Sequence, residues 1–144
     1  MNKQKYFLKI FKQAEKHYSS SMKRLAADNW KEDWQTLVST IMSAQTRDET
    51  TIPVAEELFK KYSSIEKLSK ARYEDVLKIV RRVNFSPRKA KYIIETAKII
   101  VSEHNSRVPD TIEKLVKLPG VGRKTANLVL SEVHNKDGIC VDTH

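Results

Sequence analysis

The run LPGVGRKTANLVL occupies residues 118–130, and its reading decides the fold. Pro119 has no amide hydrogen, so it ends the helix that precedes it. Gly120 and Gly122 can take positive φ and let another group approach the backbone closely. The apolar run behind them predicts a second helix, reaching about Val133. The unit is therefore helix, tight turn, helix across residues 111–133. The amides around Gly120, Val121 and Gly122 sit at the start of the second helix. There, unpaired N–H groups and the helix dipole favour an anion. Arg123 and Lys124 add positive charge. An ordinary turn between helices would use the same glycines. The flanking apolar helices and the basic pair favour a hairpin that binds phosphate.

Working outward, the rest of the chain also reads as helix. Phe7, Ile10, Phe11, Ala14 and Tyr18 form one stripe over residues 3–18, and Trp34, Leu37, Val38, Ile41 and Met42 form another over 33–44. Asp48 is the expected cap of a helix ending near Tyr62, with Pro53 in its first turn or starting it later. Ser64 opens a short segment, and residues 73–83 form a further helix. Ser86-Pro87 reads as a cap followed by proline at the first helical position. The helix it starts runs to about His104. Asp110 and Glu113 resemble a capping box. The predicted class is all-α: an N-terminal helix (1–25), a helical domain (26–136) and a tail (137–144).

Lysine and arginine number 27 against 18 aspartates and glutamates, a net charge of +9. That balance suits a polyanionic partner, nucleic acid above all. Cys140 is the single cysteine, which excludes an internal disulfide and any all-cysteine cluster held by these residues alone. It fits a reducing compartment. No apolar run is long enough to span a bilayer, and the first twenty residues carry no signal-peptide pattern. No metal site is expected.

LPGVGRKTANLVL resembles the helix-hairpin-helix of the endonuclease III family of DNA glycosylases. Asp142, eighteen residues after Lys124, lies in VDTH at 141–144, which resembles that family's catalytic-aspartate segment. SAQTRD at 43–48 resembles its glutamine-bearing segment, and NFSPRKAK at 84–91 its second DNA-facing turn. The resemblance runs from about residue 30 to the end. It implies a base-excision repair enzyme with abasic-site lyase activity, inside the cell, in the cytoplasm with the nucleoid or in a nucleus. The implied partner is duplex DNA carrying an oxidised pyrimidine or an abasic site, with mismatched thymine or uracil as the alternative substrate.

The chemistry implied by the resemblance suits the residues. Breaking a base–sugar bond builds positive charge on the sugar, which a carboxylate such as Asp142 stabilises. Lys124 is the implied nucleophile, attacking C1′ to form a Schiff base. A base inside a duplex must be flipped out and its gap filled. Gln45 is the implied filler and Phe85 the second wedge, although a core aromatic would read the same way. Arg88, Lys89 and Lys91 are candidates for backbone phosphates, and His144 for a phosphate or for holding the Asp142 segment.

Many family members continue past VDTH with helices and four cysteines that bind an iron–sulfur cluster. Those cysteines are absent from this sequence, so no cofactor is expected. The expectation is a chain truncated after VDTH, with an incomplete second lobe. The stripe of residues 7–18 would then be covered by a C-terminal partner chain or a second copy. The alternative to an active enzyme is a non-catalytic DNA-binding core, should truncation disorder Asp142, or half of a split enzyme that needs a C-terminal partner.

Overall fold

Among the described residues eight helices, α1 (Lys3–Tyr18), α2 (Asp33–Ser43), α3 (Asp48–Lys61), α4 (Ile65–Ser69), α5 (Tyr73–Val80), α6 (Ser86–Glu103), α7 (Ile112–Leu115) and α8 (Arg123–His134), follow one another. The computed structural model describes residues 2–18 and 24–134, with no strand among them. The all-α expectation is met, with helix limits close to those read from periodicity.

The caps differ from expectation by one residue each. Arg47, not Asp48, is the N-cap of α3, and Asp48 and Glu49 lie in its first turn, where their charge meets the dipole favourably. Pro53 stands inside α3, in its second turn, where it removes one helical hydrogen bond. Phe85, not Ser86, is the N-cap of α6, in the left-handed region at φ 57. Thr111 caps α7 by accepting from Lys114 N, so the box expected from Asp110 and Glu113 is replaced by a threonine cap.

One core joins α2 to α8. Leu37, Val38, Ile41 and Met42 of α2 meet Val54 and Leu58 of α3, Leu68, Val76 and Val80, Ile93, Ala97 and Ile100 of α6, and Ala126, Val129 and Leu130 of α8. Helix α6 packs against α2, α4 and α5, while α8 rests on α2 and α7. Among the residues of α1 whose side chains are described, none belongs to this core. Phe7, Ile10 and Phe11 of this helix are exposed, Phe7 at 67%, and Phe7 and Phe11 stack on each other at 6.3 Å.

The segment before α2 is held firmly. Trp30 and Trp34 pack edge-on to Phe59, and Arg24 lies 4.4 Å over the Trp30 ring while pairing with Glu56 at 3.1 Å. The buried Ser39 hydroxyl donates to Ala26 O at 2.7 Å. These contacts fix residues 25–28, which form one wall of the cleft described next.

Candidate nucleic-acid interface and active site

The hairpin is rooted in the core and open at its tip. Leu118 and Val121 are buried, and Thr96 of α6 donates its hydroxyl to Pro119 O at 2.9 Å. The two glycines do different work. Gly120 has φ +79, and a Cβ there would stand 2.8 Å from Tyr92 Cδ2. The group that comes close to Gly120 is therefore the Tyr92 side chain. Gly122 has no positive φ, and a Cβ there would meet nothing within 4 Å. Its carbonyl accepts from Ala126 N, so it is the N-cap of α8, and open space lies over it. Val121 differs from expectation: its N–H donates to Leu118 O inside the turn and its side chain is core. The open part of the turn is thus Gly122 and the first turn of α8. That turn holds no acidic residue, and it presents Arg123 and Lys124 at the surface.

Lys124 and Gln45 line one cleft of about 640 Å³, walled by Leu25–Asp28, Thr46–Asp48, Asn84, Leu128 and Glu132. Spacing along α8 explains part of this. Residues 124, 128 and 132 recur every fourth position and so share a face. Asp28, Asp48 and Glu132 bring carboxylates to the same walls. Of the residues lining this cleft, sequence reasoning picked out only Gln45 and Lys124 as functional. The fourfold spacing is the signal that points to Leu128 and Glu132.

Gln45 and Phe85 are exposed, Phe85 at 56%, and both lie in the left-handed region, at φ 54 and 57. Phe85 is therefore not a core aromatic. An unbranched amide and an aromatic are unusual residues for that region, which costs about 1 kcal/mol or more for a non-glycine. The two turns touch. Asn84 N donates to Thr46 Oγ1 at 3.0 Å, and Asn84 Nδ2 donates to Gln45 O.

Lys89 corrects the expectation that it meets a phosphate. It is only 5% exposed, and its Nζ donates to Met42 O at 2.7 Å, to Ala44 O and to Thr46 Oγ1 at 3.1 Å. It thus caps the carbonyl end of α2 from α6. Burial pushes its ammonium down to about 8. Arg88 and Lys91 remain exposed near the α6 N-terminus; Lys91 lies 4.0 Å from Glu95. Asp142 and His144 lie outside the described residues. Among the described residues no group of three or more His, Cys, Asp or Glu is placed to hold a metal, and no helix is long and apolar enough to cross a membrane.

Known proteins resemble this chain in sequence and in fold. Endonuclease III of Thermotoga maritima is 42% identical over 111 residues, covering 77% of this chain and 52% of its own length. Endonuclease III of Rickettsia felis is 37% identical over 115 residues, covering 80% and 54%. The chain thus spans about half the length of the curated relatives it matches. A trapped endonuclease III–DNA covalent intermediate superposes with a TM-score of 0.81 at 28% identity, over 100% of this chain and 66% of that one. A thermostable thymine-DNA glycosylase has the same fold, with a TM-score of 0.80 at 20% identity, over 98% and 65%. The model of the HhH-GPD superfamily base excision DNA repair proteins matches residues 38–144, and the chain belongs to that superfamily.

Proposed function

We propose that the chain is the catalytic core of a bifunctional DNA glycosylase and abasic-site lyase that acts on oxidised pyrimidines in duplex DNA. The observation that carries this reading is the shared cleft: Lys124, at the N-terminus of α8, faces the same space as Gln45. Duplex backbone rests on the Gly122 end of α8, held by first-turn amides and Arg123. Arg88 supports it from the α6 turn. Gln45 fills the gap left by the flipped nucleotide, and Phe85 stacks beside it.

Lys124 Nζ then attacks C1′ of the sugar. The C1′–N bond to the base breaks, and the base leaves with its electron pair and takes a proton. Asp142 stabilises the positive charge on the sugar as that bond lengthens. Loss of a second proton from nitrogen and opening of the ring give a Schiff base between Lys124 and C1′. Removal of a C2′ proton expels the 3′ phosphate, and water releases the enzyme. The protein groups named in these steps are the side chains of Lys124 and Asp142. A four-thiolate iron–sulfur cluster does not fit residues whose single cysteine is Cys140, and no step runs through one.

The exposed Phe7–Phe11 stripe of α1 belongs, in this reading, to the second lobe, and further polypeptide or a second copy covers it. Borohydride trapping on a duplex with one abasic site tests the chemistry. A covalent adduct formed by the chain and lost in Lys124→Ala is expected. An adduct that persists in Lys124→Ala refutes the assignment. Salt-sensitive DNA binding with no adduct in either protein shows a binding core instead.

A further inference from the structure

We propose that Lys89, Asn84 and Thr46 form a polar clasp that locks the Gln45 turn to the Phe85 turn, so that the two exposed side chains enter DNA as one rigid wedge. The inference rests on the reading of Gln45 and Phe85 as gap-fillers and names the residues that position them.

The geometry is closed on both sides. Lys89 N donates to Phe85 O at 3.0 Å, binding the Phe85 turn to α6. The same residue's ammonium donates to Ala44 O and Thr46 Oγ1, the neighbours of Gln45 on either side. Thr46 Oγ1 also accepts from Asn84 N, and Asn84 Nδ2 donates to Gln45 O. Each turn tip is therefore held through its neighbours, which leaves the side chains of Gln45 and Phe85 free to project. Strained φ values persist only where surrounding structure over-determines them, and these bonds supply that determination. The buried ammonium supplies charge-assisted bonds to helix-end carbonyls, which a neutral side chain of the same length would lose. Lys89, Asn84 and Thr46 are positioning residues, acting on DNA through Gln45 and Phe85.

The test uses a duplex in which 2-aminopurine lies opposite a tetrahydrofuran abasic-site analogue. Its emission reports unstacking when a side chain enters the gap. The chain at saturating concentration is expected to change the emission, and Gln45→Ala and Phe85→Ala each to remove most of the change. Asn84→Asp, isosteric and at an exposed site, replaces the donor facing Gln45 O with an acceptor. It is expected to shrink the change by about fivefold, the population loss that corresponds to one hydrogen bond, while the helical circular dichroism stays unchanged. Lys89→Met is expected to do the same, and Lys89→Arg to keep more of the signal. A full change in Asn84→Asp, with loss in Gln45→Ala, overturns the clasp alone. A full change in both Gln45→Ala and Phe85→Ala overturns the wedge reading and the clasp with it.

Discussion

Gly120 and Gly122 lie two residues apart in the same turn, yet alanine should act on them in opposite ways. At Gly120 two costs combine. An L-residue at φ +79 pays about 1–2 kcal/mol for the left-handed region. Its Cβ would also lie 2.8, 3.0 and 3.1 Å from Cδ2, Cβ and Cγ of Tyr92. The ring can rotate, but Tyr92 Cβ moves only with α6, which is tied to the hairpin through Thr96 and Pro119 O. Overpacking of this kind adds about 1–3 kcal/mol. Gly120→Ala should therefore destabilise by about 3 kcal/mol, a substantial part of the 5–15 kcal/mol typical of a domain. Gly122→Ala places its methyl in open space and changes only the N-cap of α8, at a cost below about 1 kcal/mol. That methyl sits where a phosphate is proposed to approach, so duplex affinity should fall by about fivefold through one lost amide contact. Urea unfolding followed by circular dichroism gives the first quantity, with the slope m unchanged as a check. Fluorescence anisotropy at fixed salt gives the second. Equal destabilisation by the two substitutions, or a Gly120→Ala cost within about 0.5 kcal/mol of zero, would refute the division of roles.

Removing the α7 cap with Thr111→Ala should cost about 1 kcal/mol, read as a lower urea midpoint. Arg123→Gln should weaken duplex binding and reduce the slope of log affinity against log salt by about one; an unchanged slope would place Arg123 away from the phosphates. Lys89 offers a pH test. Its folded pKa is lowered to about 8 by burial, below the ~10.4 of a free lysine. Between those values the unfolded chain carries a proton that the folded chain has released, so stability rises with pH there, by up to about 1.4 kcal/mol per unit. The gap in unfolding free energy between the parent chain and Lys89→Met should therefore move in favour of the parent from pH 8 upward and stay flat below it. A gap that narrows across that window would contradict the burial.

Helix periodicity carried most of the fold, because each stripe from Trp34 to Leu130 faces one core and repeats at helical spacing. The caps were less legible for a specific reason. Ser86-Pro87 looks like a cap and first helical residue, but Phe85 enters from the left-handed region and shifts the start. No local propensity announces an aromatic in that conformation. Lys89 was misread because a lysine is rarely buried. The signal was present all the same: it stands four residues before the fully buried Ile93, on the stripe facing α2, where only a satisfied ammonium fits. Lys124 stands out in the sequence because the turn before it is distinctive. Glu132, which lines the same cleft, does not, because a glutamate two turns into a helix reads as a solvated face until the cleft is seen.

The distribution of left-handed residues bears on function independently of any motif. The chain places glycine at Gly120, where φ is positive and Tyr92 leaves no room for a Cβ. Asn29, Asn105 and Ser106 also have positive φ; all three are small polar residues common in turns, and asparagine in particular tolerates that region. Gln45 and Phe85 break the pattern. Glycine or asparagine at either position would relieve strain, and such changes are among the simplest ways to raise stability. Their side chains must then matter more than the ease of their backbones. Neither side chain is buried, so packing cannot be the reason. What remains is contact with something outside the fold, at a point where Asn84 joins the two turns beside the cleft that holds Lys124. A side chain held in a costly conformation at an exposed tip, beside the proposed nucleophile, suits the insertion into a DNA stack proposed above. On this argument Gln45→Gly and Phe85→Gly should each leave the fold as stable or more so, while reducing the handling of damaged duplex. Unfolding midpoints that fall in both variants would show that these residues serve the fold instead.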